Sequence, residues 1–171
     1  MTLYFMRHGE TEWNRQNRIQ GRKDVCLNEK GMKQVHDASK WLIQNSIVIH
    51  RIVSSPLQRA AQSALLIAEK RGLPIEFNAC FAERGFGELE GLTFGEIAAK
   101  FNIHDPENMD SSLYGVESIT ELYQRVWQGL CTLSEPNTEN VLIVTHGSII
   151  RILTGIPEIV RNGMILPYCK S

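Results

Sequence analysis

Apolar residues fall into short unbroken runs, separated by longer stretches in which they recur every three or four positions. The runs are residues 3–6, 52–53, 141–144 and a weaker last one at 164–166. Continuous rather than alternating runs predict strands covered on both faces. Between them lie helical patterns with recognisable ends. Ser55-Pro56 predicts an N-cap followed by a proline at the first helical position, and Gly72 closes that helix. Leu57, Ala60, Ala61, Ala64, Leu65 and Ala68 are its expected apolar face. Ser118 and Glu121 form a capping box before Ile119, Leu122, Val126, Leu130 and Leu133, an amphipathic spacing. A further helix starts near Asn28 and carries Met32, Val35, Leu42 and Ile43, and another follows Gly147 with Ser148, Ile149, Ile150, Ile152 and Leu153. Strands alternating with helices predict an α/β fold: a three-layer sandwich, its central sheet mostly parallel, with helices on both faces. No repeat, low-complexity tract or Pro/Ser-rich linker divides the chain, so one domain is expected over residues 1–171.

Composition narrows the function classes. With 43% apolar and 22% charged residues, the chain reads as neither disordered nor fibrous. Eighteen Lys and Arg against 19 Asp and Glu leave a net charge of −1, so no nucleic-acid or membrane partner is expected. No apolar run approaches the ~20 residues that span a bilayer. The opening MTLYFMRHGE has neither an apolar h-region nor a cleavage site, so a cytoplasmic protein is expected. Cys26, Cys80, Cys131 and Cys169 are widely spaced and are expected as free thiols. His36, His50 and His104 form no i,i+4 pair for a metal, and Trp13, Trp41 and Trp127 are expected to be packing residues.

The chemistry gathers where strands end. Residues 3–6 run into Arg7-His8-Gly9, and residues 141–145 run into His146-Gly147. In open α/β sheets ligands bind outside the carboxyl ends of the strands. Glycine after each histidine is expected to let a ligand approach the backbone, and a helix N-terminus following Gly147 favours an anion. A third strand ends at Ser54-Ser55 and feeds a helix whose first turn carries Arg59. Two guanidinium groups match phosphate oxygens bidentately, so Arg7, His8, Arg59 and His146 suggest a phosphoryl site.

An ordered set of motifs accompanies these residues. Arg7-His8-Gly9-Glu10-Thr11 with Trp13-Asn14 is followed by Arg18-Ile19-Gln20-Gly21, Asp24 and Leu27-Asn28-Glu29-Lys30-Gly31. Then come Ser55-Pro56-Leu57-Gln58-Arg59-Ala60, Glu83, Phe86-Gly87, Glu90-Gly91, Gly115, Glu117-Ser118 and Thr145-His146-Gly147. In this order, over residues 2 to about 155, they resemble the histidine phosphatase superfamily, the phosphoglycerate mutase-like group. The resemblance implies that His8 attacks phosphorus and carries the phosphoryl group as phosphohistidine. It implies that Arg7, Arg59, His146 and the amide of Asn14 grip the phosphoryl oxygens, and that Glu83 is the general acid. Gln20 and Gly21 would line the mouth. It implies no metal and no cofactor, with a small phosphorylated molecule as the partner.

Three carboxylates compete for the acid role, because Glu88 and Glu90 stand near Glu83, which could instead pair with Arg84 on the surface. Glu117 is expected as a structural partner near the helix cap. Arg18, Arg22 and Lys23 form a basic run that either greets an anion or is a solvated loop. Two positions depart from the family pattern: Cys26 replaces a proline and Leu89 an aromatic residue. No Lys or Arg lies between Phe101 and Gln124, whereas Asp105, Glu107, Asp110, Glu117 and Glu121 do. A second anionic group would find little attraction there, although Lys23 could serve it from the other side, and this points to a phosphatase. Broad-specificity, sugar-phosphate and α-ribazole phosphate phosphatases stand side by side as expectations. The alternatives are a cofactor-dependent phosphoglycerate mutase and a phosphate-binding module without turnover.

Overall fold

The strands are β1 (Leu3–Arg7), β2 (Arg51–Ser54), β3 (Ile75–Phe77), β4 (Val141–Thr145) and β5 (Ile165–Tyr168). In this computed structural model, which describes residues 2–109, 112–133, 139–156 and 160–168, they form one sheet of order β3-β2-β4-β1-β5. Cys169 and Asp110, named above, lie outside the described residues. Strands β1 to β4 pair in parallel, and β5 lies antiparallel against β1. Strand β3 is not expected from the sequence: its three residues, Ile-Glu-Phe, are half-buried or exposed, so no apolar run marks it.

The helices are α1 (Glu12–Arg15), α2 (Glu29–Gln44), α3 (Gln58–Arg71), α4 (Phe94–Phe101), α5 (Ile119–Thr132) and α6 (Gly147–Thr154). Each buried strand sends alternate side chains to opposite faces, as the pleat requires. Leu3, Phe5, Val141 and Ile143 pack with Leu122, Val126 and Leu130 of α5 and with Ile149 and Ile150 of α6. Met6, Leu142 and Val144 pack with Val35, Ala38 and Leu42 of α2 and with Ala60, Ala64 and Ile67 of α3. These two cores make the three layers. A smaller apolar group, Ile19, Phe86, Leu89, Ile97 and Val116, seats α4 beyond the sheet edge.

Several expected details shift. Helix α3 begins at Gln58 rather than Pro56, and Ser55 does not cap it. The Ser55 hydroxyl is taken by His146, and the Asp24 carboxylate reaches across to accept from the Gln58 N–H at 2.6 Å. A cap supplied from 34 residues away satisfies the same orphaned donor. The buried face of α3 runs through Arg59, Ala60, Ser63, Ala64, Ile67 and Ala68, while Leu65 is exposed, so the stripe is rotated from the expected one. Met32 and Ile43 of α2 are likewise exposed, as are Trp41 and Trp127. The α5 capping box and the left-handed cap at Gly72 stand as expected.

Candidate active site

Three neighbouring strands end level. Arg7 stands opposite Thr145 and Ser54 opposite Val144, so the turns leaving β1, β4 and β2 emerge at one edge. Backbone hydrogen bonds extend the register one step, His8 N–H to Thr145 C=O and Ser55 N–H to Val144 C=O, each 3.0 Å. This fixes His8, His146 and Ser55 side by side. The glycine after His8 serves close packing. A Cβ at Gly9 would lie 2.4 Å from the Gly31 carbonyl oxygen, and one at Gly31 would lie 2.1 Å from that of Glu10. The His8 turn is thus pressed, backbone to backbone, onto the first turn of α2.

The His8 ring is buried, and its Nδ1 lies 2.7 Å from the Gly9 carbonyl oxygen. A carbonyl only accepts, so Nδ1 carries the hydrogen and Nε2 keeps its lone pair. Burial, reinforced by the Arg59 and Arg7 charges, holds the His8 pKa well below the ordinary value. His146 is depressed in the same way, first by burial and then by Arg59. Its Nε2 lies 2.7 Å from the Ser55 hydroxyl, and the two imidazole centroids are 5.1 Å apart. With the Ser55 hydroxyl donating to Nε2, the neutral His146 ring presents Nδ1–H as a donor.

Arg59 is fully buried on α3, where Nη1 and Nη2 donate to the carbonyls of Lys23 and Gly21 at 2.8 and 2.7 Å. Burial lowers its pKa to about 10, which leaves it charged at neutral pH. Arg7 donates to the Val160 carbonyl. Arg7 Nε, Arg59 Nε and His146 Nδ1 are buried donors that no acceptor meets among the described residues. Buried donors are nearly always satisfied, so three of them around one histidine are informative.

Arg7, His8, Asn14, Gln20, Gly21, Arg59 and Glu83 line one cavity of about 260 Å³. His146 stands against the His8 ring rather than in the cavity wall. Asn14 Oδ1 is held by the Thr11 N–H at 3.1 Å, which leaves its NH₂ as the outward donor. Gln20 Oε1 accepts from the Thr11 hydroxyl at 2.9 Å.

Among the three carboxylates only Glu83 faces this cavity. Glu88 is exposed, and Glu90 accepts the N–H groups of Arg22 and Phe86. The segment before Glu83 is held by the Thr145 hydroxyl, which donates to the Phe81 carbonyl at 2.8 Å. Burial pushes the Glu83 carboxyl above its ordinary value, against the Arg84 N–H, Arg59, Arg7 and the Ser148 hydroxyl, which favour the ionised form. Arg84 does not pair with Glu83 on the surface: its guanidinium is buried and donates to the carbonyls of Glu117, Glu107 and Met109. Glu117 accepts from Arg125, Arg22 and the Gly85 N–H, the structural part expected of it.

Ser148, Arg151, Glu107 and Asn162 are among the wall residues to which the sequence assigned no part in the site. Ser148 and Arg151 are three apart on α6, so extending the helical period from Gly147 would have found both. Asn162 Nδ2 donates to the His8 carbonyl at 3.0 Å, a contact between residues 154 positions apart that no local pattern announces. The stretch 101–124 carries no cation of its own, but Arg84 and Arg151 reach it from elsewhere. Of the basic run, Arg18 lines the cavity and pairs with Glu96, while Arg22 pairs with Glu117.

Cys26, Cys80 and Cys131 are free thiols, and no group of metal-ligating side chains occurs among the described residues. No helix among them is long and apolar enough to cross a membrane.

Comparisons with known proteins agree with this geometry. The chain is 37% identical to the uncharacterized phosphatase PhoE of Bacillus subtilis, covering 97% of this chain and 84% of that one. It is 30% identical to the probable phosphoglycerate mutase GpmB of Erwinia tasmaniensis, covering 99% and 82%. The mycobacterial glucosyl-3-phosphoglycerate phosphatase, solved in complex with VO3, superposes with a TM-score of 0.84 at 27% identity, covering 97% and 91%. The family model for the histidine phosphatase superfamily, branch 1, matches residues 3–157, and the chain belongs to that superfamily.

Proposed function

We propose that this protein is a phosphomonoester hydrolase that works through a phosphohistidine at His8, without a metal. The observation that carries this reading is a trio of buried nitrogens, Arg7 Nε, Arg59 Nε and His146 Nδ1, that have no partner among the described residues and gather around a histidine whose Nε2 keeps its lone pair. Two guanidinium charges and a neutral imidazole donor suit a dianionic phosphoryl group and the charge that develops on its oxygens.

In the first step the His8 Nε2 lone pair forms a bond to phosphorus as the bond from phosphorus to the ester oxygen breaks. Glu83, whose carboxyl burial raises above its ordinary value, gives its proton to the departing alkoxide. The Glu83 carboxylate then takes a proton from water as that water attacks phosphorus. The bond from phosphorus to His8 Nε2 breaks with its electron pair returning to Nε2, phosphate leaves, and neutral His8 and protonated Glu83 return. Asn14 and Asn162 support the grip: Asn162 bonds both the His8 carbonyl and Asn14 Oδ1.

Similarity to a probable phosphoglycerate mutase favours a second reading, in which a phosphoglycerate rather than water takes the phosphoryl group. Hydrolysis of p-nitrophenyl phosphate and 3-phosphoglycerate with EDTA present, wild type against His8→Ala, tests the proposal. Phosphate release that survives EDTA and disappears in the variant supports it. Release that persists in His8→Ala refutes it, and isomerisation of phosphoglycerate without phosphate release selects the mutase.

A further inference from the structure

The cavity wall carries four arginines, and they differ in what compensates them. Arg7 and Arg59 donate to backbone carbonyls, so their charges stay available for a ligand. Arg18 donates to Glu96 at 3.2 Å and to the Gly91 carbonyl at 2.7 Å. Arg151 donates to the Glu107 carboxylate and, through Nη2, to Asn108 Oδ1 at 2.8 Å. Two free positive charges therefore meet a phosphoryl dianion, and among the described residues no free cation is left on the wall for a second anionic group.

We propose that the Glu107–Arg151 pair is the charge filter of this site, restricting it to phosphomonoesters whose alcohol part is uncharged. The proposal rests on the phosphatase reading for the position of the phosphoryl group. The backbone at Glu107 is held in place: its carbonyl accepts from buried Arg84 at 2.8 Å, and the next residue, Asn108, is braced by Asp105 at 2.8 Å. Both its carboxylate and the Arg151 charge are felt at Arg7, which places the pair within electrostatic reach of the phosphoryl end. An anionic alcohol part would meet the Glu107 carboxylate directly, while Arg151 is already occupied. Ile19, Phe86, Phe94, Asn17 and Gln20 elsewhere on the wall are apolar or neutral and suit a hydroxylated or aromatic alcohol. Rejection here is built from repulsion as well as from a missing attraction.

Glycerol 3-phosphate and 3-phosphoglycerate test this, since they share three carbons and the phosphoryl group and differ in CH₂OH against carboxylate. Wild type is expected to favour glycerol 3-phosphate in kcat/KM by about tenfold or more. Glu107→Gln frees Arg151 and shrinks that preference by about tenfold, through a lower KM for 3-phosphoglycerate. Effects on phosphoryl binding are common to both substrates and cancel in the ratio. Adding Arg151→Gln to Glu107→Gln removes the gain, whereas Arg151→Gln alone widens the original preference. An equal wild-type preference, a ratio unmoved by Glu107→Gln, or a gain that persists without Arg151 overturns the filter. The same two compounds titrated calorimetrically onto His8→Ala, with and without Glu107→Gln, read the filter without turnover. Absent hydrolysis with that binding preference intact would remove the phosphatase reading and leave the filter standing.

Discussion

The His8 and His146 rings lie tilted against each other, centroids 5.1 Å apart, with the Arg7 and Arg59 charges beside them. Protonating either ring would add a third positive charge to a buried group of two. Both are therefore neutral across the physiological range, and this ties stability to pH. Histidines in the unfolded chain titrate near 6.5, while the folded ones titrate well below. The stabilisation is present above pH 6.5 and is lost as pH falls from there toward the depressed folded values. Each histidine contributes about 1.4 kcal/mol per pH unit in that window. Thermal melts between pH 8 and 5 should show this slope, and His8→Asn/His146→Asn should flatten it. An unaltered slope in the double variant would place the effect elsewhere.

Glu83→Gln removes the proposed proton donor while keeping the shape. The loss of kcat/KM, which reads the chemistry up to release of the alcohol and so leaves out the later attack of water, should be about 10²- to 10⁴-fold on an alkyl phosphate. On p-nitrophenyl phosphate it should be much smaller, because a stabilised phenolate leaves without a proton. Comparing the two substrates in wild type and variant checks this, and equal losses on both would remove Glu83 from the acid role.

Ser148 offers a finer test of the same group. Its hydroxyl favours the ionised form of Glu83, so its removal raises the carboxyl pKa further. In Ser148→Ala the alkaline limb of the kcat profile, where the acid loses its proton, should move to higher pH. A limb that stays or moves down would show that Ser148 does not reach the carboxyl in solution.

Gly31→Ala should destabilise the fold although Gly31 touches no substrate. The added Cβ would sit 2.1 Å from the Glu10 carbonyl oxygen, and backbone on both sides leaves no flexible atom to give way. About 1–3 kcal/mol of lost stability is expected in denaturant melts. Activity should fall too, because the His8 turn must lift from α2.

Legibility in the sequence tracks how local each cause is. Strands β1, β2 and β4 are buried on both faces, so composition alone exposes them, whereas half-exposed β3 carries no such mark. The α5 capping box lies within four residues and is readable. The α3 cap is not, since its acceptor comes from Asp24, and a Ser-Pro pair at the expected place has its hydroxyl taken by His146. Within the site, Arg7, His8, Arg59 and Glu83 sit in motifs that name them. Glu107 and Asn162 are fixed by contacts 44 and 154 residues apart, which spacing does not encode, whereas Arg151 follows from the helical period after Gly147.

Buried Arg84 gives the site a mechanical property. One guanidinium, on the residue next to Glu83, holds the carbonyls of Glu107, Met109 and Glu117 together. The Glu107 part of the cavity wall and Glu83, the proposed acid, are therefore parts of one hydrogen-bonded bracket. Grafting a different 105–117 segment to change substrate would move the acid as well, unless the new segment kept those three carbonyls in place. Evolution toward a new alcohol is easiest where side chains change and that backbone does not.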